Sequence, residues 1–272
     1  MAEKLSEKDI ENINIEGTEE YAVMPLRNTV LFPQQVIPIY IGREKSLKLI
    51  SDIELEKRKY IIVVAQEDGS IEDPSTEDLY SYGTLATVLK VFAMPDNSKS
   101  AIVQGIARVK ILDYLSKEPY FKAAASKVSD DPISDSLELD DIVDNLRTSF
   151  ADLIKVAPNL TEEHTGMLSN IKKPNRLVDR AVSLMTLPNQ EKQEILEEVN
   201  IKSRIDKAIS IINREIQRIK LGEEIQTEVH DEIAKTQREY YLREQMKAIQ
   251  KELGEDEGTV ELKELEERIK DA

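Results

Sequence analysis

The spacing of apolar residues in the first half of the chain is typical of β-strands. Residues 21–41 are mainly apolar, with prolines at positions 25, 33 and 38. Because proline cannot donate to a sheet ladder, these strands should be short, lie at an edge, or end near a proline. In the segment VIPIYI, Val36, Pro38 and Tyr40 share one face. Ile37, Ile39 and Ile41 share the other face, which is the better candidate for the core.

More strands and one helix are predicted from the positions that follow. Residues 44–56 place Leu47 and Ile50, followed by Ile53 and Leu55, at near-helical spacing. Strands are predicted where apolar residues alternate or run continuously, at 60–65, 83–94, 101–115 and 120–128. The turn sequence PDNSKS at 95–100 favours a hairpin. Together these segments predict a small sheet that is closed or nearly closed.

The second half of the chain has a helical pattern. It begins with an acidic stretch, residues 130–144, which holds seven acids and no base and predicts a boundary between lobes. Apolar residues then recur every three or four positions. The predicted helix ends and caps fall at Pro158, Thr161, Pro174, Pro188 and Asn189.

A long helix is predicted from about residue 200 to residue 253, where the chain has no proline and one glycine, Gly222. Gly222 is the expected position of a kink or break. A spacing of 4-3-4 occurs twice, at Ile201, Ile205, Ala208 and Ile212, and at Leu242, Met246, Ile249 and Leu253. A helix of this length indicates a coiled coil or a projecting arm.

These patterns predict an α+β protein with four segments. They are a disordered acidic tail (1–20), a β-rich lobe (21–129), a helical lobe (130–199) and a long helical arm (200–272).

Composition removes several classes of function. The chain has 53 acids and 37 bases, a net charge of −16, which argues against binding to nucleic acid or to an anionic membrane. It has no cysteine, so it has no disulfide, thiolate nucleophile or zinc-thiolate site. No apolar run is long enough to span a bilayer, and the acidic N-terminus resembles no targeting signal. We therefore expect a cytoplasmic protein.

Catalytic motifs are absent from the sequence. None of the nine glycines precedes a lysine or forms a G-x-G pair, which excludes the usual nucleotide-binding loops. No G-x-S-x-G elbow occurs. His164 and His230 are predicted to be surface residues and not metal ligands. We predict no catalytic, cofactor-binding or metal-binding residue.

Binding surfaces remain as the candidate chemistry. The segment Met24–Pro33 fits either core packing with edge protection or a groove that accepts another chain. The apolar stripe from Leu242 to Leu253 fits a seam between subunits, a face packed on its own chain, or a client-binding surface.

Three blocks of the sequence resemble the N-terminal region of bacterial Lon proteases. They are MPLRNTVLFPQQVIPIYIGREKSLKLI at 24–50, the pair GTLATVLKV at 83–91 and IVQGIARVKI at 102–111, and QREYYLREQMKAIQKELGE at 237–255. Three blocks in the same order make the resemblance specific.

The resemblance implies a PUA-like β pseudo-barrel, then a helical lobe, then a long helix that leads to an AAA+ ring. It also implies a parent protein that is an ATP-dependent serine protease, a homohexamer that uses ATP and magnesium. The Walker motifs and the Ser-Lys dyad of that family match no residue here. We therefore expect a non-catalytic N-terminal part that ends within the linker helix and holds no cofactor.

On this resemblance, the leading hypothesis is recognition of unfolded or damaged protein substrates and support of hexamer assembly. The expected client contacts are Leu26, Val30, Phe32 and Pro33. The expected arm contacts are Tyr240, Leu242, Met246, Ile249 and Leu253. One alternative is a small-ligand-binding Lon-type domain, which the 5% aromatic content and the lack of tryptophan disfavour. The other is a coiled-coil scaffold that binds no client.

Overall fold

A computed structural model describes residues 19–55, 60–131 and 137–252, together with residues 265, 268 and 269. The predicted acidic tail therefore lies outside the described residues, apart from Glu19 and Glu20. Leu253 also lies outside them.

In the part of the chain that the structure describes, six strands form a single sheet and confirm the predicted β-rich lobe. Their bounds are β1 Glu20–Leu26, β2 Val36–Ile41, β3 Tyr60–Ala65, β4 Tyr82–Ala93, β5 Lys99–Ser116 and β6 Lys122–Lys127. The strand order is β2-β5-β4-β3-β1-β6, and β6 also pairs with β5. Five strands therefore close a ring, and β2 lies outside it on the free edge of β5.

Strand β5 is long enough to pair with different partners along its length. Its first part pairs with β2, from Lys99 opposite Ile41 to Gln104 opposite Val36. Its last part pairs with β6. Strand β4 runs antiparallel to it through two register shifts. Such bulges bend a strand, and here they accompany the closure of the sheet.

The prolines lie at positions where the strand lacks a hydrogen-bonded neighbour on at least one side. A missing backbone N–H donor is tolerated there. Pro38 is in the edge strand β2, as predicted. Pro25 is near the end of β1, where the chain still pairs with β3. The pairing of β1 with β6 covers only residues 20–22, so it has ended before Pro25. Pro33 lies in the loop between β1 and β2.

Both faces of the central strands are buried. Helix α1 (Glu44–Leu55) packs Leu49, Ile50 and Ile53 into one core cluster, with Ile61 and Val63 of β3. The alternate residues Ile62 and Val64 enter a second cluster on the opposite face. This confirms the prediction for the run at 60–65. Leu55 does not join the core, because the helix ends there and leaves its side chain 87% exposed.

Between residues 137 and 252, five further helices confirm the helical half of the chain. They are α2 Leu137–Val156, α3 Glu162–Ser169, α4 Pro174–Leu184, α5 Asn189–Glu197 and α6 Ile201–Glu252. Thr161 is the N-cap of α3 and Pro174 is in the first turn of α4, as expected. Asn189 was predicted to be the N-cap of α5, but Pro188 occupies that position. The Asn189 side chain instead donates to the Arg27 carbonyl oxygen, 3.0 Å away.

Helix α6 continues through Gly222 without a break. Contacts divide the chain into two units, Met1–Ile216 and Gln217–Ala272. The start of α6 belongs to the first unit because Ile201, Ile205 and Ala208 are buried there. The predicted arm therefore separates from the helical lobe near residue 217 and not at residue 200. Among the described residues, no helix is both long and apolar enough to cross a membrane.

Gly105 of β5 allows a close approach of the β1–β2 loop. A Cβ atom at this position would lie 2.3 Å from the Phe32 carbonyl oxygen. That separation is far inside van der Waals contact, and the obstructing atom is backbone. By contrast, a Cβ at Gly166 in α3 would meet nothing within 4 Å.

We therefore predict that Gly105→Ala destabilises the protein by about 1–3 kcal/mol, the usual cost of overpacking. The matched control, Gly166→Ala, should leave stability unchanged or raise it by up to about 1 kcal/mol, because alanine favours helix. Denaturant unfolding of both variants is the measurement. Equal stability of the two variants would contradict the steric role of Gly105.

Candidate binding surfaces

A tight turn at Phe32–Gln35 is attached to strand β5. The Gln34 amide donates to the Gly105 carbonyl (2.8 Å), and the Gly105 amide donates to the Gln35 carbonyl (2.9 Å). The Gln35 side chain accepts from the Phe32 amide at 3.0 Å. Gln34 adopts a positive φ of 64°, which the turn requires. These hydrogen bonds hold the turn in a fixed position beside the helical lobe.

The turn at residues 32–35 faces the helical lobe across a cavity of about 670 Å³, which we call the interlobe cleft. One side is the turn with Pro33, Gln34 and Val36. The other side is the α3–α4 connection, residues 170–173, and the facing side of α4, residues 176, 179, 180 and 183. The side-chain oxygen of Gln34 accepts hydrogen bonds from the Arg176 guanidinium across the cleft, at 2.7 Å from Nε and 2.9 Å from Nη2.

A buried ionic cluster joins the two lobes below the cleft. Arg108 of β5 contacts Asp179 of α4 at 2.5 Å, and Arg204 of α6 contacts Asp130 at 2.5 Å. The cross-pairs are longer, at 4.0 Å for Arg108 with Asp130 and 3.7 Å for Arg204 with Asp179. The two guanidinium groups thus lie between the two carboxylates, and the elements that carry them come from both lobes.

Backbone carbonyls complete this ionic cluster. Arg108 Nε donates to the Leu196 carbonyl at 2.9 Å, and Arg204 Nε donates to the Glu198 carbonyl at 2.6 Å. Both acceptors lie at the end of α5. Burial alone would raise the pKa of Asp130, but Arg108, Arg204 and Asn175 together hold that pKa below its usual range. The carboxylate is therefore ionised at neutral pH.

A second surface is the exposed side of β2 and its neighbours, which we call the outer sheet face. Tyr40 lies opposite Ser100, which in turn lies opposite Phe92 of β4. Pro38 lies opposite Ile102 in the next row. Tyr40 is 66% exposed, Phe92 40% and Val36 41%, so apolar side chains from two strands reach solvent on one face.

The predicted client-contact residues are mostly in the core. Leu26 is 5% exposed, Val30 3% and Phe32 1%, so their side chains are not accessible to another molecule in this structure. Pro33 is partly exposed and lines the interlobe cleft. The structure therefore supports the core-packing interpretation for most of the segment Met24–Pro33, and leaves Pro33 as the accessible member.

The outer sheet face was not among the predicted sites, although the sequence pattern of residues 36–41 indicated part of it. The alternation in VIPIYI assigned positions 36, 38 and 40 to the face away from the core, and all three are exposed. The sequence could not assign Phe92 and Ile102 to this face. Their neighbours on the face depend on the register between strands, which a local pattern does not give.

In the second unit, Gln217–Ala272, the described helix is exposed at every residue from 220 to 252. Tyr240, Leu242, Met246 and Ile249 are each at least 50% exposed, so they are available for the contacts predicted for the arm. A further row was only partly recognised in the sequence and is also exposed, at Leu221, Ile225, Val229 and Ile233.

One histidine caps a helix and the other lies on the surface. His164 Nδ1 accepts from the Thr161 amide at 3.0 Å and completes the capping box of α3. His230 is exposed on α6. No group of three or more His, Cys, Asp or Glu residues that could hold a metal ion occurs in the described part of the chain.

Comparison with known proteins gives a consistent result. The sequence model of the family described as the ATP-dependent protease La (LON) substrate-binding domain matches residues 20–214. A Lon protease of Dictyoglomus thermophilum is 38% identical over 255 residues, which is 93% of this chain and 32% of the relative. A Lon protease of Koribacter versatilis is 40% identical over 252 residues, which is 92% of this chain and 31% of the relative. The chain thus spans about a third of the length of these curated relatives.

Solved structures show the same fold. The N-terminal domain of Mycobacterium avium complex Lon protease has a TM-score of 0.59 at 19% identity, covering 72% of this chain and 98% of that one. A Lon N-terminal domain protein from Xanthomonas campestris has a TM-score of 0.50 at 14% identity, covering 71% and 98%.

The ionic cluster leads to a prediction of pH dependence. Because the pKa of Asp130 is lower in the folded state, the cluster should stabilise the protein above about pH 4, the unfolded pKa. This stabilisation is lost as the pH falls through the folded pKa. Asp130→Asn should cost about 2–4 kcal/mol at pH 7, because it leaves buried arginine charge without its partner. The free energy of unfolding should be measured for both proteins from pH 7 to pH 3.

The difference between the two proteins should shrink as the pH falls below about 4. The control is Asp152→Asn, which removes the partner of Lys155 in an exposed ion pair. That change should cost less than about 1 kcal/mol at every pH. A constant difference for Asp130→Asn from pH 7 to pH 3 would rule out the charge as the cause.

Proposed function

The chain belongs to the family of Lon protease substrate-binding domains, and from this premise we propose that its outer sheet face binds unfolded segments of protein substrates. The observation that supports this is a group of apolar side chains exposed on a paired and rigid part of the sheet, with Tyr40, Phe92 and Val36 as its largest exposed members. Exposed apolar groups that adjoin one another often mark interaction sites.

An unfolded chain differs from a native one in the apolar side chains that it exposes. Apolar contact is non-directional, so one face can accept many sequences. The aromatic rings of Tyr40 and Phe92 offer large contact areas with few rotatable bonds, which limits the entropy lost on binding. Lys90 lies 4.6 Å from the centre of the Phe92 ring and keeps a charge at the border of the face.

We predict that the double variant Tyr40→Ser/Phe92→Ser binds an unfolded client at least about tenfold more weakly, which corresponds to a loss of about 1.4 kcal/mol or more. The measurement is the affinity, by fluorescence anisotropy, for a polypeptide that is held unfolded by reduction of its disulfide bonds. The native form of the same polypeptide should bind poorly to the unaltered protein.

The matched control is Leu55→Ser, which removes a more exposed apolar side chain from the end of α1. It should bind as the unaltered protein does. Unfolding temperatures should be measured for all variants, because Tyr40 also donates a hydrogen bond to Asp96 at 3.0 Å. An equal loss of affinity in the control, or no loss in the double variant, would contradict the proposed site.

We also propose that the chain serves a longer protein that degrades substrates as an ATP-dependent serine protease and works in the cytoplasm. ATP, magnesium and the Ser-Lys dyad would then act outside the residues present here. The support is the family and the naming of the similar relatives as Lon proteases. In this arrangement the substrate-binding domain captures the client, and it does not carry out the proteolytic reaction.

Helix α6 is proposed to contribute self-association within a homohexamer. Leu242, Met246 and Ile249 keep a 4-3 spacing that places them on one side of the helix, and all three are exposed. This apolar stripe lies on the exposed part of the helix and has no partner within its own unit among the described residues. A second copy of the chain would bury it.

For this surface we predict that Leu242→Ala/Ile249→Ala weakens self-association, measured by sedimentation equilibrium. Glu244→Ala/Lys251→Ala is the control, because each position lies two residues further on, about 200° around the helix. The control should associate as the unaltered chain does. If all three proteins sediment identically as monomers, the stripe has no role in self-association of this chain.

A further inference from the structure

A cavity of about 430 Å³ lies beside the end of β1, the edge strand β2 and the start of α1, and we call it the arginine pocket. Arg27 and Arg43 both line it, and none of the described residues in its lining is acidic. The whole chain carries a net charge of −16, so two cations on one small cavity are unusual in it. Arginines that line one cavity are a common means of binding carboxylate or phosphate groups.

The loop that joins β3 to β4 fixes both arginines in place. Arg43 Nη2 donates to the Gln66 side-chain oxygen at 2.7 Å. Gln66 is fully buried and donates in turn to the Ile71 carbonyl at 3.0 Å. Arg27 Nη2 donates to the Ser70 carbonyl at 3.3 Å. The acceptors of both arginines are uncharged, so these hydrogen bonds orient the guanidinium groups without neutralising them.

Each guanidinium keeps donors that these hydrogen bonds do not use. Arg27 Nε is buried and has no hydrogen-bond partner among the described residues. Burial lowers the pKa of Arg43, and the charge of Arg27 lowers it further. The two groups therefore repel each other in a partly dehydrated site, and a bound anion would offset that repulsion. Arginine keeps its proton at neutral pH, so both charges persist.

Two acids on the same loop offset part of this positive charge. Glu72 lies 4.0 Å from Arg27 Nη2, but its side chain is 92% exposed, and exposed ion pairs are weak. Asp73 and Glu72 raise the pKa of Arg43, but less than burial and Arg27 lower it. Both acids line an adjacent cavity of about 420 Å³ and not the arginine pocket. The charge that remains suits a ligand with one negative charge better than a doubly charged phosphate.

Apolar groups form the accessible surface next to the arginines. Pro38 is exposed, Pro25 is partly exposed, and Tyr40 is 66% exposed, and all three line the pocket. A free inorganic ion would make no use of this surface. The combination therefore indicates an anionic group that is attached to an organic chain.

From these observations we propose that the arginine pocket binds the free carboxylate at the C-terminus of a client polypeptide. A carboxylate offers two oxygens to the planar guanidinium and can bridge two such groups. The inference rests on the proposed function and deepens it, because Tyr40 belongs to the outer sheet face and also lines the pocket. The end of a client segment bound on that face would thus reach the arginines.

Addition of a client strand along the free edge of β2 is a weaker use of the same place. Such pairing depends on a row of backbone donors and acceptors along the edge. Pro38 lies within β2 and has no N–H, so the row of donors is interrupted there. A terminal carboxylate needs no such row.

The test compares fluorescent apolar peptides of one sequence that differ at the C-terminus. One peptide ends in a free carboxylate, and the other ends in an amide. The unaltered protein should bind the free-acid peptide about tenfold more tightly at low salt, and added salt should reduce the difference. A third peptide, amidated and ending in glutamate, should bind more weakly than the free acid. Equal or tighter binding of this third peptide would overturn the assignment to the C-terminus.

The variant Ser46→Asp places a competing carboxylate in the pocket. Ser46 lies in the first turn of α1, is 7% exposed and lines the cavity. An acidic residue is favourable in the first turn of a helix, so we expect this variant to fold. Its carboxylate should pair with the arginines and remove the advantage of the free-acid peptide. The control is Thr165→Asp, which makes the same change in net charge at an exposed position of α3 and should keep the advantage.

The variant Glu72→Gln gives a second test that alters an exposed side chain. It removes the acid that competes for Arg27, so it should strengthen binding of the free-acid peptide by about twofold and leave the amide unchanged. An equal effect on the two peptides would contradict the pocket. The proposal is also wrong if folded Ser46→Asp keeps the free-acid advantage, or if Thr165→Asp loses it to the same degree.

The outcomes separate this inference from the proposed function. If neither the free acid nor the amide binds, the proposed function fails. If both bind equally, and Phe92→Ser at the outer sheet face weakens both, client binding stands and the pocket assignment is overturned. If inorganic phosphate displaces the free-acid peptide at a lower concentration than acetate does, the assignment to a carboxylate is overturned.

Discussion

Two arginines and two carboxylates buried between the lobes set the arrangement of the first unit. Arg108, Asp179, Arg204 and Asp130 come from β5, α4, α6 and the segment after β6, so one cluster ties the sheet to three parts of the helical half. Buried charges are costly unless each has a partner in good geometry. A shift of either lobe would leave a charge unpaired, so only a narrow range of positions is favourable. The interlobe cleft has defined walls because this cluster lies beneath it.

The closure of the sheet determines where β2 and the turn before it lie. Strand β5 pairs with β2 in its first part and with β6 in its last part, so the ring closes while β2 stays outside it. An edge strand has one neighbour, and one face of β2 packs into the core while the other faces solvent. The turn before β2 is fastened to Gly105, where the absence of a side chain allows backbone to approach backbone. The position of the candidate surfaces thus follows from topology.

Local patterns in the sequence were enough to predict most elements but not their surroundings. The run at 60–65 and the alternation at 36–41 identified strands and their faces, because side-chain direction in a strand depends only on neighbouring residues. Phe32 could not be assigned to the core from its own segment, because a proline-rich stretch has no clear period. The pairing of Arg108 with Asp179 joins residues 71 positions apart, and no local signal identifies such a contact. Likewise, Lys172 and Arg180 appear as ordinary surface charges until the cleft places them opposite an apolar wall.

The acidic surplus and the exposed apolar surfaces are best understood together. A protein that exposes Tyr40, Phe92 and a row of apolar residues along α6 carries a risk of non-specific association. A net charge of −16 makes two copies repel each other at long range. Repulsion of this kind is screened beyond about 8–10 Å at ordinary salt, whereas apolar contact acts on touching surfaces. A well-matched apolar contact can therefore overcome this repulsion, while random encounters are suppressed.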